Sequence, residues 1–157
     1  MKLRKADQGQ FFFQIGKREK LLLFEVLKFY PLIPASYSRG GHSKQTGEES
    51  SRKLIEEALA EQRQENKRQL KAMLEDPARF TEHDGGWQFS MSQCELEWLL
   101  QVLNDIRVGS WIRLGSPDPK EERRAELSGQ SAPYFWAMEL CGHFESVLLH
   151  ALTREAN

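Results

Sequence analysis

The sequence predicts a mainly α protein: a helical bundle with a small N-terminal β-hairpin, forming one domain over residues 1–157. Three observations carry that expectation. Apolar residues recur at helical spacing through most of the chain, Gly and Pro cluster at the junctions between those stretches, and the clearest strand signal lies in residues 1–15. A chain of 157 residues that is 39% hydrophobic and holds four tryptophans can bury its own core, which excludes a disordered chain.

Met1 to Ala6 reads as a strand, Asp7-Gln8-Gly9 as a turn and the Phe-rich Gln10 to Ile15 as a second strand. A lone hairpin is marginal in water, so its Phe face must pack on a helix. The first helix is predicted from about Arg18 to Tyr30, with Leu22, Leu23, Val26 and Leu27 on its stripe, and Pro31 ends it. Residues 31–47, with Pro31, Pro34, Gly40, Gly41 and Gly47, make a long loop.

Glu48 to Glu75 is the longest helical pattern, with seven acids and six bases. Leu54, Ile55, Ala58 and Leu59 form one apolar patch, and Leu70, Met73 and Leu74 another. Glu61 to Gln69 between them is polar, so the helix is expected to dock by its ends and leave its middle in solvent. Asp84-Gly85-Gly86 marks a turn, and Trp87-Gln88-Phe89 a short strand able to meet the hairpin. Ser92 and Glu95 have capping-box spacing, which starts a helix near Gln93 that runs to Ile112, with Gly115 closing it. Asp118-Pro119 opens a short capped helix to about Leu127, and Ser131-Ala132-Pro133 opens the last one.

Twenty-two Lys and Arg against 23 Asp and Glu leave a net charge of −1, which argues against an extended nucleic-acid surface. The apolar run Phe11 to Phe13 is too short for a secretory core, and no segment approaches the ~20 apolar residues that span a bilayer. Cys94 and Cys141 sit in apolar helical contexts and read as buried thiols, so the expected compartment is the cytoplasm.

Motif chemistry is sparse. Cys141 and His143 point about 200° apart on a helix, and zinc or di-iron spacings are missing, so no metal and no cofactor is expected. No nucleophile elbow or phosphate-cradling glycine loop is present, and no catalytic residue is assigned. Lys2, Arg4, Lys5, Lys17, Arg18 and Lys20 lie near Phe11 to Phe13. They read either as a solvated, lysine-guarded edge or as a nucleic-acid surface that stacks bases. The polar cluster Asn104-Asp105-Ile106-Arg107 interrupts an apolar helix. Either Asp105 or Arg107 pairs with a neighbouring helix, or Arg107 recognises a carboxylate or phosphate.

Leu96-Glu97-Trp98-Leu99-Leu100-Gln101-Val102-Leu103-Asn104-Asp105-Ile106-Arg107, with Arg113-Leu114-Gly115, resembles the Asn-Asp-x-Arg helix of an uncharacterised bacterial family best represented in actinobacteria. Tyr134-Phe135-Trp136-Ala137-Met138 and Glu145-Ser146-Val147-Leu148 resemble its last helix, and Pro34-Ala35-Ser36-Tyr37 its loop. The resemblance implies a mostly α cytoplasmic protein without an assigned activity. Its genes often neighbour that of the Clp protease adaptor ClpS, which implies Clp protease or its adaptor as partner. The expected function is therefore a non-enzymatic protein-interaction module, accessory to Clp-dependent proteolysis. Its expected contact surface joins Tyr37 and the 31–47 loop to Asn104, Asp105 and Arg107. The alternatives are a small ligand-binding protein or enzyme with a pocket around Asp105 and Arg107, and, third, a nucleic-acid-binding regulator.

Overall fold

A computed structural model of the chain describes residues 1–33, 48–118 and 129–155. Tyr37, most of the 31–47 loop and the short helix predicted after Asp118 lie outside the described residues. Strands β1 (Lys2–Asp7) and β2 (Gln10–Ile15) precede helices α1 (Lys17–Leu27) and α2 (Glu48–Glu75). Strands β3 (Thr81–His83) and β4 (Gly86–Ser92) then lead into helix α3 (Gln93–Arg113), and the chain ends in helix α4 (Ala132–Glu155).

The four strands form one antiparallel sheet in the order β1-β2-β4-β3, which corrects the expected helical bundle. The fold is α+β, and the hairpin is half of a sheet. The physical reason is the length of β4: it pairs with β2 from Gln10↔Ser92 to Ile15↔Trp87, well beyond Phe89. Its sequence Trp87-Gln88-Phe89-Ser90-Met91-Ser92 alternates with period two, so Phe89 and Met91 join Phe11, Phe13 and Ile15 on one buried face. Phe12, Gln14, Gln88 and Ser90 occupy the other, partly covered face. Rings lock the buried face: Phe13 stacks on Phe89 at 5.3 Å, and Phe89 meets Phe80 at 4.9 Å.

Helix α3 supplies the centre of the core through Leu96, Leu99, Val102, Leu103 and Ile106, all essentially inaccessible. It begins where the sequence predicts, with Ser92 Oγ accepting from the Glu95 amide and Glu95 Oε2 accepting from the Ser92 amide at 2.8 Å. It ends at Gly115, whose φ of +86° closes the helix, with the Ser116 amide bonded to the Trp111 carbonyl at 2.9 Å. Cys141, Phe144, Leu148 and Ala151 of α4 face α3 and the sheet as one stripe, all fully buried.

Helix α2 docks at its Leu70, Met73 and Leu74 end as expected, but its first end is exposed and its middle reaches the core. Its predicted solvated middle holds Asn66, only 5% exposed, while residues 50–62 are exposed throughout. Asn66 Nδ2 donates to the Tyr30 hydroxyl at 3.0 Å, and Asn66 Oδ1 accepts from Trp98 Nε1 at 3.2 Å and Gln62 Nε2 at 3.0 Å. One amide thus ties α2 to the end of α1 and to α3. Asn66→Ala strands the Tyr30 hydroxyl and the Trp98 indole, and an unsatisfied buried group costs about 1–3 kcal/mol. We predict a lower urea midpoint with an unchanged fold by circular dichroism; a midpoint equal to the parent's refutes the clamp.

Candidate functional site

The four residues singled out in the sequence separate. Tyr37 lies outside the described residues, and Asn104, Asp105 and Arg107 take three different tasks on α3. Asp105 Oδ1 accepts from the Leu32 amide at 2.7 Å and from the Ile33 amide at 3.3 Å, pinning the chain that leaves α1. The approach is close enough that a Cβ on Gly109, one turn further, would lie 2.7 Å from the Leu32 carbonyl carbon. Asp105 and Gly109 together form a seat for that segment.

Arg107 points the other way, to α4. Its Nε donates to Glu145 Oε2 at 2.9 Å, and its Nη2 reaches Asn104 Oδ1 at 3.2 Å. The guanidinium side chain is 45% exposed, whereas that of Glu145 is 11% exposed. Burial pushes the Glu145 carboxyl above the usual range, and the Arg107 charge draws it part of the way back. Glu145 Oε1 and Ser110 Oγ, on the two helices that Arg107 joins, are buried without a hydrogen-bond partner among the described residues. The arrangement is a half-buried ion pair, held rigid on its carboxylate side and open to water on its guanidinium side.

Glu145 carries no site role in the sequence motif that contains it, although a signal for one exists: it sits beside Cys141, Phe144 and Leu148 on the buried stripe of α4, where a carboxylate requires a partner. Cys141 shares that environment. Burial pushes its thiol up to about 12, the Glu145 charge adds to the rise and Arg107 opposes it. Cys94, expected to be buried, is exposed near the start of α3. A second ion pair, Arg79 to Glu95 at 2.6 Å, braces the approach to β3 against the first turn of α3. Partial burial raises the Glu95 carboxyl, but the Ser92 amide and the Arg79 guanidinium outweigh it, so the net shift is downward.

The candidate base-stacking surface loses its rings: Phe11 and Phe13 are fully buried in the sheet, leaving Phe12 partly exposed. Among the described residues, no group of three or more His, Cys, Asp and Glu is placed to hold a metal ion, and no helix is long and apolar enough to cross a membrane. No protein-family model matches the chain, and neither a curated protein nor a solved structure matches it.

Two predictions follow the geometry of this seam. Arg107→Ala leaves Glu145 buried without its counter-charge, a loss of about 1–3 kcal/mol at neutral pH for a pair half in solvent. Because the folded pKa of Glu145 lies above its unfolded value, protonation favours the folded state. The deficit of the variant is therefore full at pH 7 and shrinks as the pH falls towards the ordinary carboxylate value, about 4.3. Melting curves of parent and variant at pH 7 and pH 5 check this; a deficit equal at both refutes it. The thiols should also differ, with Cys94 labelled by a thiol reagent in the folded protein and Cys141 only on unfolding. Equal labelling rates contradict the burial of Cys141.

Proposed function

We propose that the protein is a non-enzymatic interaction module that meets its partner through the first half of α2. One observation carries this reading. Leu54, Ile55 and Leu59 are 65%, 60% and 40% exposed, on a helix stretch whose every residue from Ser50 to Gln62 faces solvent. Three large apolar side chains on one exposed helix segment are the usual mark of a contact surface. Among the described residues the stretch packs on no part of the core, because α2 is fastened further along at Asn66 and Leu70.

This surface differs from the one built on Asn104, Asp105 and Arg107. Asp105 is engaged with Leu32 and Ile33, and Arg107 with Glu145, so those groups serve the body of the fold. The resemblance to the uncharacterised bacterial family makes Clp protease, or its adaptor, the first partner to try, and an accessory role in Clp-dependent proteolysis the first process. Two unpaired cysteines favour the cytoplasm as the place where it acts.

Replacing Leu54, Ile55 and Leu59 together with Glu tests the reading. Exposed positions contribute little to folding, so each substitution should change the stability by no more than about 0.5 kcal/mol. Capture of Clp protease or its adaptor by the immobilised parent, and its loss with the triple variant, is the expected result. Equal capture by both proteins removes α2 from the interface, and no capture by the parent removes the Clp assignment.

A further inference from the structure

Lys20, on α1, lies among three aromatic rings contributed by three parts of the chain. Its Nζ is 3.4 Å from the Trp87 ring centroid, 4.6 Å from that of Phe80 and 5.5 Å from that of Phe24. A cation over an aromatic face within about 6 Å is drawn to the negative face of the ring, most strongly for Trp. No ion pair or hydrogen bond to another described residue competes for this ammonium.

The walls do not depend on Lys20 for their position. Phe80 is buried, meets Phe89 at 4.9 Å and takes Phe24 edge-on at 5.2 Å. Trp87 is fixed by strand pairing on both sides, opposite Ile15 of β2 and Glu82 of β3. Cross-strand partners share a face, so Glu82 stands on the Trp87 side of the sheet and supplies negative charge there. Lys20, by contrast, reaches the rings on a flexible four-carbon stem from a helix whose neighbouring Leu21 and Leu22 are exposed. The occupant hangs on a long side chain with several rotatable bonds, whereas the rings are held by packing and strand pairing of their own.

We propose that Phe24, Phe80 and Trp87 form a binding cage for a methylated ammonium group, which Lys20 occupies in the resting chain. Rings on several sides and a nearby carboxylate suit a cation that cannot donate hydrogen bonds, since nothing in the cage accepts them at close range. Lys20 acts as a tethered competitor, so an incoming cation must displace it to enter.

Titration with tetramethylammonium chloride tests the cage, followed by the Trp87 indole signal in a nitrogen–proton NMR spectrum, with sodium chloride at equal ionic strength as the control. Lys20→Ala should bind saturably and at least tenfold more tightly than the parent. Trp87→Leu in the Lys20→Ala background, read by the Phe24 and Phe80 backbone amide signals of the same spectrum, should abolish that binding. Lys20→Ser serves as the unplugged protein should the alanine variant not fold. Choline and phosphatidylcholine vesicles, added separately to Lys20→Ala, distinguish a free small molecule from a lipid headgroup as the source of the cation. A Trp87 signal that moves no more with tetramethylammonium than with sodium in the unplugged variant overturns the proposal. So does saturable binding that survives Trp87→Leu.

Discussion

The burial of α3 is the constraint on which the other elements depend. Its apolar stripe, Leu96, Leu99, Val102, Leu103 and Ile106, is buried while Glu97, Gln101 and Asn104 face solvent, and four polar or charged side chains beside that stripe each fasten one neighbour. Glu95 holds Arg79 and the entry to β3, Trp98 holds Asn66 of α2, Asp105 holds Leu32 and Ile33 after α1, and Arg107 holds Glu145 of α4. Hydrophobic burial is non-directional and fixes only that the pieces collapse. These four contacts have direction, and they decide which neighbour lies where along the helix. A polar contact at an apolar seam has this effect because a displaced register leaves a buried donor or acceptor unsatisfied.

The sheet is the second layer of that arrangement. The alternation in β2 and β4 presents Phe11, Phe13, Ile15, Phe89 and Met91 to the helices. Because β4 runs directly into α3 at Ser92, the cap of the helix and the end of the strand are one residue. The Gln93 amide bonds to the Gly9 carbonyl at 3.1 Å, so the β1–β2 turn is tied to the start of α3 as well. Strand pairing and helix capping therefore fix each other, and neither can shift alone.

What the sequence made legible follows the range of the interactions. Helix α3, its capping box and its Gly115 stop are all written within a few residues, and the structure reproduces them. The sheet is less legible because β2 meets β4 across nearly eighty residues, and β4 runs into Ser92, whose capping-box spacing marks a helix start rather than a strand. The burial of Asn66 is illegible for a similar reason: its partners Tyr30 and Trp98 lie 36 and 32 residues away, and nothing local marks a polar helix residue as buried. At the Asn104–Arg107 cluster, residue type showed that partners were needed, but not that Asp105 and Arg107 would find them in opposite directions.

Helix α2 divides into a docked half and an exposed half, and the proposed contact surface lies on the second. At ~1.5 Å per residue its 28 residues extend for about 42 Å, and the contacts that hold it begin at Asn66 and continue through Leu70. The stretch before Gln62 contributes its apolar side chains to nothing in the described body, so a protein that covers Leu54, Ile55 and Leu59 gains their burial without dismantling any core contact. The same exposure would be a liability if the helix were loosely attached, because a swinging apolar segment finds unintended neighbours. Asn66 limits that freedom: with its amide bonded at both ends, the direction in which the exposed half leaves the body is set by Tyr30 and Trp98. A rigid origin for an exposed apolar segment lowers the ordering entropy that binding must overcome, which is the physical advantage of placing a contact surface on such a helix.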